Sequence, residues 1–195
     1  MNTNYQILES YYKKTGDTIA FERFLSNGPT LTIQSGEIFS GNYALIQQRF
    51  NSVLNIPKSD NTLDSLRTQF KTDGFTAKLT DNRDVMFVQI IPDTAMSNMD
   101  ALGFLNLRQD IEGKIDNKLQ NSNLGEWFAG DMGAGGNMLF YIDNWQASMK
   151  IVNEILKDEE LLDHVLIAKQ VMATDEDWIY EVVYPAEYQG VFNPM

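Results

Sequence analysis

From Val85 onward the spacing of apolar residues alternates between the period of a strand and that of a helix, and the order of those changes limits the architectures open to the chain. Residues 85–91 form an apolar, β-rich run that stops at Pro92. A helix is expected over about residues 98–119, where apolar side chains at 101, 102, 104, 105, 107, 111 and 115 make one broad face and Asn98 or Ser97 can cap. Residues 126–129 and 138–142 read as strands on either side of a glycine-rich connection. Asp143 or Asn144 opens a second helix through Leu156, with apolar positions 145, 149, 152, 155 and 156. Residues 165–171 and 178–184 are the closing strands, with Asp175-Glu176-Asp177 as the turn between them and Pro185 as the stop.

Strand, helix, strand, strand, helix, strand is the split βαβ order. The fold class expected is therefore α+β: a ferredoxin-like antiparallel sheet with two helices on one face and an extra C-terminal strand. Its open face needs a cover, which the N-terminal block or a partner can supply. That block mixes signals. Residues 5–14 and 43–54 carry apolar side chains at helical spacing, and residues 60–70 suggest a short helix with Asp60 as cap. Residues 18–25 are aromatic and fit either type. Residues 30–33 alternate as a strand, Asn27-Gly28-Pro29 and Ser35-Gly36 are turn signals, and residues 75–79 make a further β-rich run, with 80–84 as a hairpin connection. The tail from Ala186 has no periodicity. The division expected is a mixed α/β block over 1–72 and an acidic ferredoxin-like domain over 73–195.

Charge separates the two halves. Residues 1–84 hold 9 basic and 9 acidic side chains; residues 85–195 hold 6 basic against 18 acidic, so the whole net charge of −12 falls there. Such a surface repels nucleic acid and anionic lipid and steers basic partners toward itself. The 195 residues contain no cysteine, which removes disulfides, thiolate metal sites and thiol nucleophiles. The one histidine, His164, leaves no pair of imidazoles, and its place at the start of a strand suggests a polar strand end. The first residues lack the basic and apolar regions of a signal peptide, and no apolar stretch approaches a membrane span, so a cytoplasmic protein is expected.

Residues 130–137, Gly130-Asp131-Met132-Gly133-Ala134-Gly135-Gly136-Asn137, are the most unusual local feature. Glycine-rich backbone can cradle phosphate, but here the loop leads into a strand rather than a helix, and it carries Asp131 with no basic residue. A wide β-connection is the simpler reading, with a protein-contact or small-ligand role as alternatives. Glu126, Asp131 and Asp143 flank the loop and could join to bind a divalent ion or do acid–base work. Asp158-Glu159-Glu160 with Asp163, and Asp175-Glu176-Asp177 beside Trp178, are the charged regions. Solvated loop ends account for such runs, while docking of a basic protein, with Trp178 as an aromatic anchor, is the functional alternative.

Residues 125–185, through Gly125-Glu126-Trp127, the glycine loop, Phe140-Tyr141-Ile142-Asp143 and Asp177-Trp178-Ile179-Tyr180, resemble small uncharacterised bacterial ferredoxin-like proteins, including immunity proteins of polymorphic toxin systems. The resemblance implies a non-enzymatic, cytoplasmic binding role: occlusion of a cognate basic toxin or effector, without cofactor. The partner-binding residues expected are Asp131, Asn137, Asp158, Glu159, Glu160, Asp163, Asp175, Glu176, Asp177 and Trp178. A small-molecule-sensing regulatory domain with its ligand at the glycine loop is the alternative. A free sheet face or exposed edge strand would also permit a homodimer.

Overall fold

The computed structural model describes residues 6–40, 45–93, 96, 99–173 and 178–194. Its architecture is α+β, with three α-helices and two five-stranded sheets. The chain divides into two compact units: residues 1–81 with 171–192, and residues 82–170 with 193–195. The division expected from the sequence differs: a boundary after residue 72, with the C-terminal strand in the second part.

The first unit is built on long strands. β1 (Gln6–Thr15), β2 (Thr18–Asn27), β3 (Thr30–Ser40) and β4 (Ile46–Pro57) form an antiparallel meander. The β1–β2 and β2–β3 turns are made by Gly16 and Gly28, both at φ 61, the left-handed region that glycine enters without steric cost. α1 (Asp60–Thr72) follows, capped by Ser59 rather than Asp60: the Ser59 side chain accepts from the Thr62 N–H. Tyr11, Phe24, Leu31 and Ile33 from the sheet bury against Leu63 and Phe70 of the helix, with Phe24 and Phe70 stacked at 5.3 Å. β10 (Gly190–Phe192) adds a short strand beside Ile46, Gln47 and Gln48 of β4.

Of the three N-terminal segments expected to be helical, 60–70 lies in α1, while the described parts of 5–14 and 43–54 lie in β1 and β4, and bulges explain the error. In β1 the pairing shifts between Ile7 and Glu9, so Leu8 is an extra residue. In β4 the shift lies between Phe50 and Ser52, making Asn51 extra. One added residue converts a spacing of two into three, and apolar positions on either side then imitate a helical period. The first two residues of the expected 43–54 helix, Tyr43 and Ala44, lie outside the described residues. Ser35-Gly36 is no turn either. Gly36 sits inside β3, where an added Cβ would come 2.3 Å from the Arg49 carbonyl oxygen and 2.4 Å from the Phe21 ring. Residues 75–79 contribute a single bridge, Tyr12 to Thr76, and no hairpin forms at 80–84.

The second unit follows the expected element order. β5 (Asp84–Ile90), α2 (Ala101–Asn121), β6 (Gly125–Asp131), β7 (Gly136–Ile142), α3 (Trp145–Asp158) and β8 (Val165–Ala173) run in sequence; β9 (Trp178–Tyr184), which follows, belongs to the first unit. The strand order in this sheet is β6-β7-β5-β8-β9, and β5 pairs antiparallel with both β7 and β8. The chain crosses into the first unit within β8, after Gln170. Ile111, Ile115 and Leu119 of α2 and Val152 and Leu156 of α3 are fully buried. Asn144 caps α3 by accepting from Ala147 N–H. For α2 the cap is Asp100, accepting from Gly103 N–H; the expected caps Ser97 and Asn98 lie outside the described residues. No helix among the described residues is long and apolar enough to cross a membrane.

Candidate functional site

All three helices end on the same backbone device. After α1, Gly74 N–H reaches the Lys71 carbonyl and Phe75 N–H reaches Phe70. After α2, Asn123 and Leu124 bond back to Gln120 and Leu119. After α3, Glu160 and Leu161 bond back to Lys157 and Leu156. This paired closure needs one residue at positive φ, and glycine or asparagine supplies it most cheaply. Gly74 and Asn123 fit that preference at φ 84 and φ 52. Glu160, at φ 59, does not: it is a branched-free but Cβ-bearing acidic residue in a conformation that costs roughly 1–2 kcal/mol. Its carboxylate is exposed, as are those of Asp158 before it and Asp163 after it, in the 3₁₀ turn Leu162–His164. Glu159, between them, is held by Lys114 of α2 at 2.7 Å. The acidic end of α3 thus presents three exposed carboxylates and one salt-bridged carboxylate.

The glycine loop is closed on itself. Asp131 Oδ1 accepts from the Gly133 N–H at 2.9 Å and from Asn137 Nδ2 at 2.7 Å. Asn137 Oδ1 accepts from Gln89 Nε2, and Asn137 is fully buried, so it presents no surface to a partner. An added Cβ at Gly130 would lie 2.3 Å from Arg108 Nη1 and 2.6 Å from the Asn137 carbonyl; one at Gly135 would lie 2.4 Å from the Ile90 carbonyl. The glycines admit the buried Arg108 side chain, which also pairs with Glu112. Of the expected site residues here, Asp131 alone is exposed, next to Met132.

Glu126 and Asp143 do come together, on Arg83 at 2.8 and 3.2 Å, and the guanidinium stacks over Tyr141 at 5.0 Å. Asp131 sits at the far end of β6, so the three carboxylates form no cluster. Among the described residues no group of three His, Cys, Asp or Glu side chains is placed to hold a metal ion. His164 Nε2 lies 3.5 Å from Asp93 Oδ2 at the start of β8. Trp178 opens β9 and is 57% exposed, but it belongs to the first unit. Asp175, Glu176 and Asp177 lie outside the described residues.

Sequence reasoning missed the largest fully buried side chain, Arg23. Arg23 of β2 and Glu181 of β9 are both 0% exposed and 3.4 Å apart, within the first unit. Arg23 also donates to Gln34 Oε1 and to the Val182 and Ala186 carbonyls, and its guanidinium lies between the Phe21 and Phe50 rings at 5.2 and 4.8 Å. Tyr12 donates to the other Glu181 oxygen. Burial pulls the guanidinium below its ordinary range, which Glu181 opposes. Burial, reinforced by Glu181, holds the Tyr12 hydroxyl well above its usual range. Gln48 completes the network by donating to the Val182 carbonyl and accepting its N–H. A signal existed: period two puts Arg23 on the same face of β2 as Phe21, and Gln34 and Gln48 fall at buried strand positions. The cluster is satisfied and sealed, which makes it architecture rather than a reaction site.

No family model matches the chain, and neither a curated protein nor a solved structure does.

Proposed function

We propose that the chain is a protein-binding module that docks a basic partner on the acidic end of α3, in the manner of an immunity protein that occludes a toxin. The observation that carries this reading is Glu160. A solvent-facing carboxylate is kept at a positive φ where glycine would be cheaper, and such local cost is characteristically retained where a side chain is used. Asp158 and Asp163 flank it on the surface. The second unit, residues 82–170 and 193–195, carries 14 acidic and 7 basic side chains, a net −7 that attracts a cationic protein over a Debye length. Its element order and the run β6-β7-β5-β8 support a ferredoxin-like reading of this unit. Asp131 and Met132 would belong to the rim, and Asn137 plays no part.

Low-salt capture from the native cell, eluted on a salt gradient and read by mass spectrometry, identifies the partner. Reversing Asp158, Glu160 and Asp163 to lysine should then slow association at low salt by at least about tenfold and flatten its salt dependence. Glu160→Gly is the sharper variant: it should raise stability by roughly 1 kcal/mol while weakening binding. Capture of no basic protein, or an association rate that ignores both variants, refutes the assignment.

A further inference from the structure

Two buried side-chain amides stand opposite each other in the second unit. Gln89 of β5 and Asn137 of β7 are register partners, so they share one face of the sheet, next to the apolar pair Phe87 and Leu139. Each amide nitrogen carries two hydrogens, and all four find acceptors. Gln89 Nε2 donates to Asn137 Oδ1 at 2.9 Å and to the Asn193 carbonyl at 2.8 Å. Asn137 Nδ2 donates to Asp131 Oδ1 at 2.7 Å and to the Pro194 carbonyl at 3.4 Å. A carboxylate and two main-chain carbonyls can only accept, so neither amide can be turned the other way round. Residues 193–195 group with the second unit, whereas β10 just before them groups with the first. They bring two consecutive main-chain carbonyls to the amide pair.

We propose that residues 193–194 are a strap that fixes the glycine loop, gripped through their main-chain carbonyls. The connection is continuous. Asn137 holds the Asp131 carboxylate, and the same Asp131 Oδ1 takes the Gly133 N–H that folds the loop back on itself. Without the strap, one hydrogen on each amide loses its acceptor at a buried position, which is costly. The pair then recovers its bonds only by rotating or by admitting water. Either change breaks the alignment in which Asn137 meets Asp131, because bonds linked in this way strengthen and weaken together. The strap thus acts on the loop from beneath, through two side chains that show no surface of their own.

Amide exchange followed by NMR reads this directly. A chain ending at Phe192 should exchange the Gly133 amide about tenfold faster than the full chain, while amides in the β5–β7 ladder keep their rates. Pro194→Ala keeps the carbonyl and should leave Gly133 as it is in the full chain. Gln89→Met, of similar volume in a chain of full length, removes the donors to Asn137 and Asn193 together and should speed Gly133 likewise. In an Asp131→Ala background the shortening should cost clearly less stability than it does against wild type, because the link to the loop is already cut. A Gly133 rate that ignores the shortening, or Gln89→Met should the shortened chain not fold, overturns the proposal. So does acceleration spread evenly over the second unit, a Pro194→Ala chain that exchanges as fast as the shortened one, or costs that simply add.

Discussion

Glu181→Gln removes one charge from the sealed network and nearly none of its volume, which makes it a direct probe of the ion pair. At the observed 3.4 Å separation, an effective dielectric of 20 gives a gross attraction of about 5 kcal/mol. Glutamine returns part of this, since its carbonyl oxygen can still accept from Arg23 or Tyr12. The guanidinium also keeps three neutral acceptors and two ring faces. What remains is the cost of a buried cation without its counter-charge, about 3–5 kcal/mol where one member of such a pair is removed. A value near 3 kcal/mol is expected, read as the shift in urea midpoint at unchanged slope. Arg23→Met should cost a comparable amount for a different reason: it strands Glu181, and it leaves the Ala186 carbonyl and Gln34 Oε1 without the donor they now have. The Val182 carbonyl keeps Gln48. The double variant should cost clearly less than the sum, because no charge is then left unpaired. A Glu181→Gln protein within about 0.5 kcal/mol of wild type, or additive single and double variants, would refute the reasoning.

Gly130→Ala should lower stability by about 1–3 kcal/mol, since the new methyl meets Arg108 and the Asn137 carbonyl, and should leave partner association unchanged. Altered binding at preserved stability would instead make the loop a contact surface. Stability should also fall in alkali. Burial, with help from Glu9, pushes Tyr11 up to about 12, and burial with Glu181 holds Tyr12 well above its usual range, whereas unfolded tyrosines ionise near pH 10. The folded state therefore holds these protons more tightly. Its advantage is complete below about pH 10 and drains away as pH rises toward 12. Denaturation midpoints level between about pH 9 and 11 would contradict it.

The second unit was legible because its helices are long, amphipathic and capped by residues that declare themselves, such as Asn144. The first unit was not, because β1 and β4 each carry a bulge that shifts alternation by one residue. Tyr11 and Tyr12, both buried on a single strand, further blur it: they face opposite sides, one to the α1 cluster and one to Glu181. The exposure of Asp158, Glu160 and Asp163 was readable from their run of charge. The positive φ of Glu160 was not, since glutamate carries no sequence mark for it. Asn137 misled for the opposite reason, as a polar loop residue whose hydrogen bonds turned inward.

The Arg23–Glu181 pair joins residues separated by 158 positions in the chain. On the ribosome, at roughly 5–20 residues per second, Arg23 would wait about 8–30 s for its carboxylate to be made. Residues 82–170 of the second unit are made in that interval. The nascent first sheet must therefore be kept from collapsing around a bare cation, and completion of the first unit becomes a late event in synthesis, whatever its position in the gene. A fragment ending near residue 81 would lack β9, β10 and the counter-charge together.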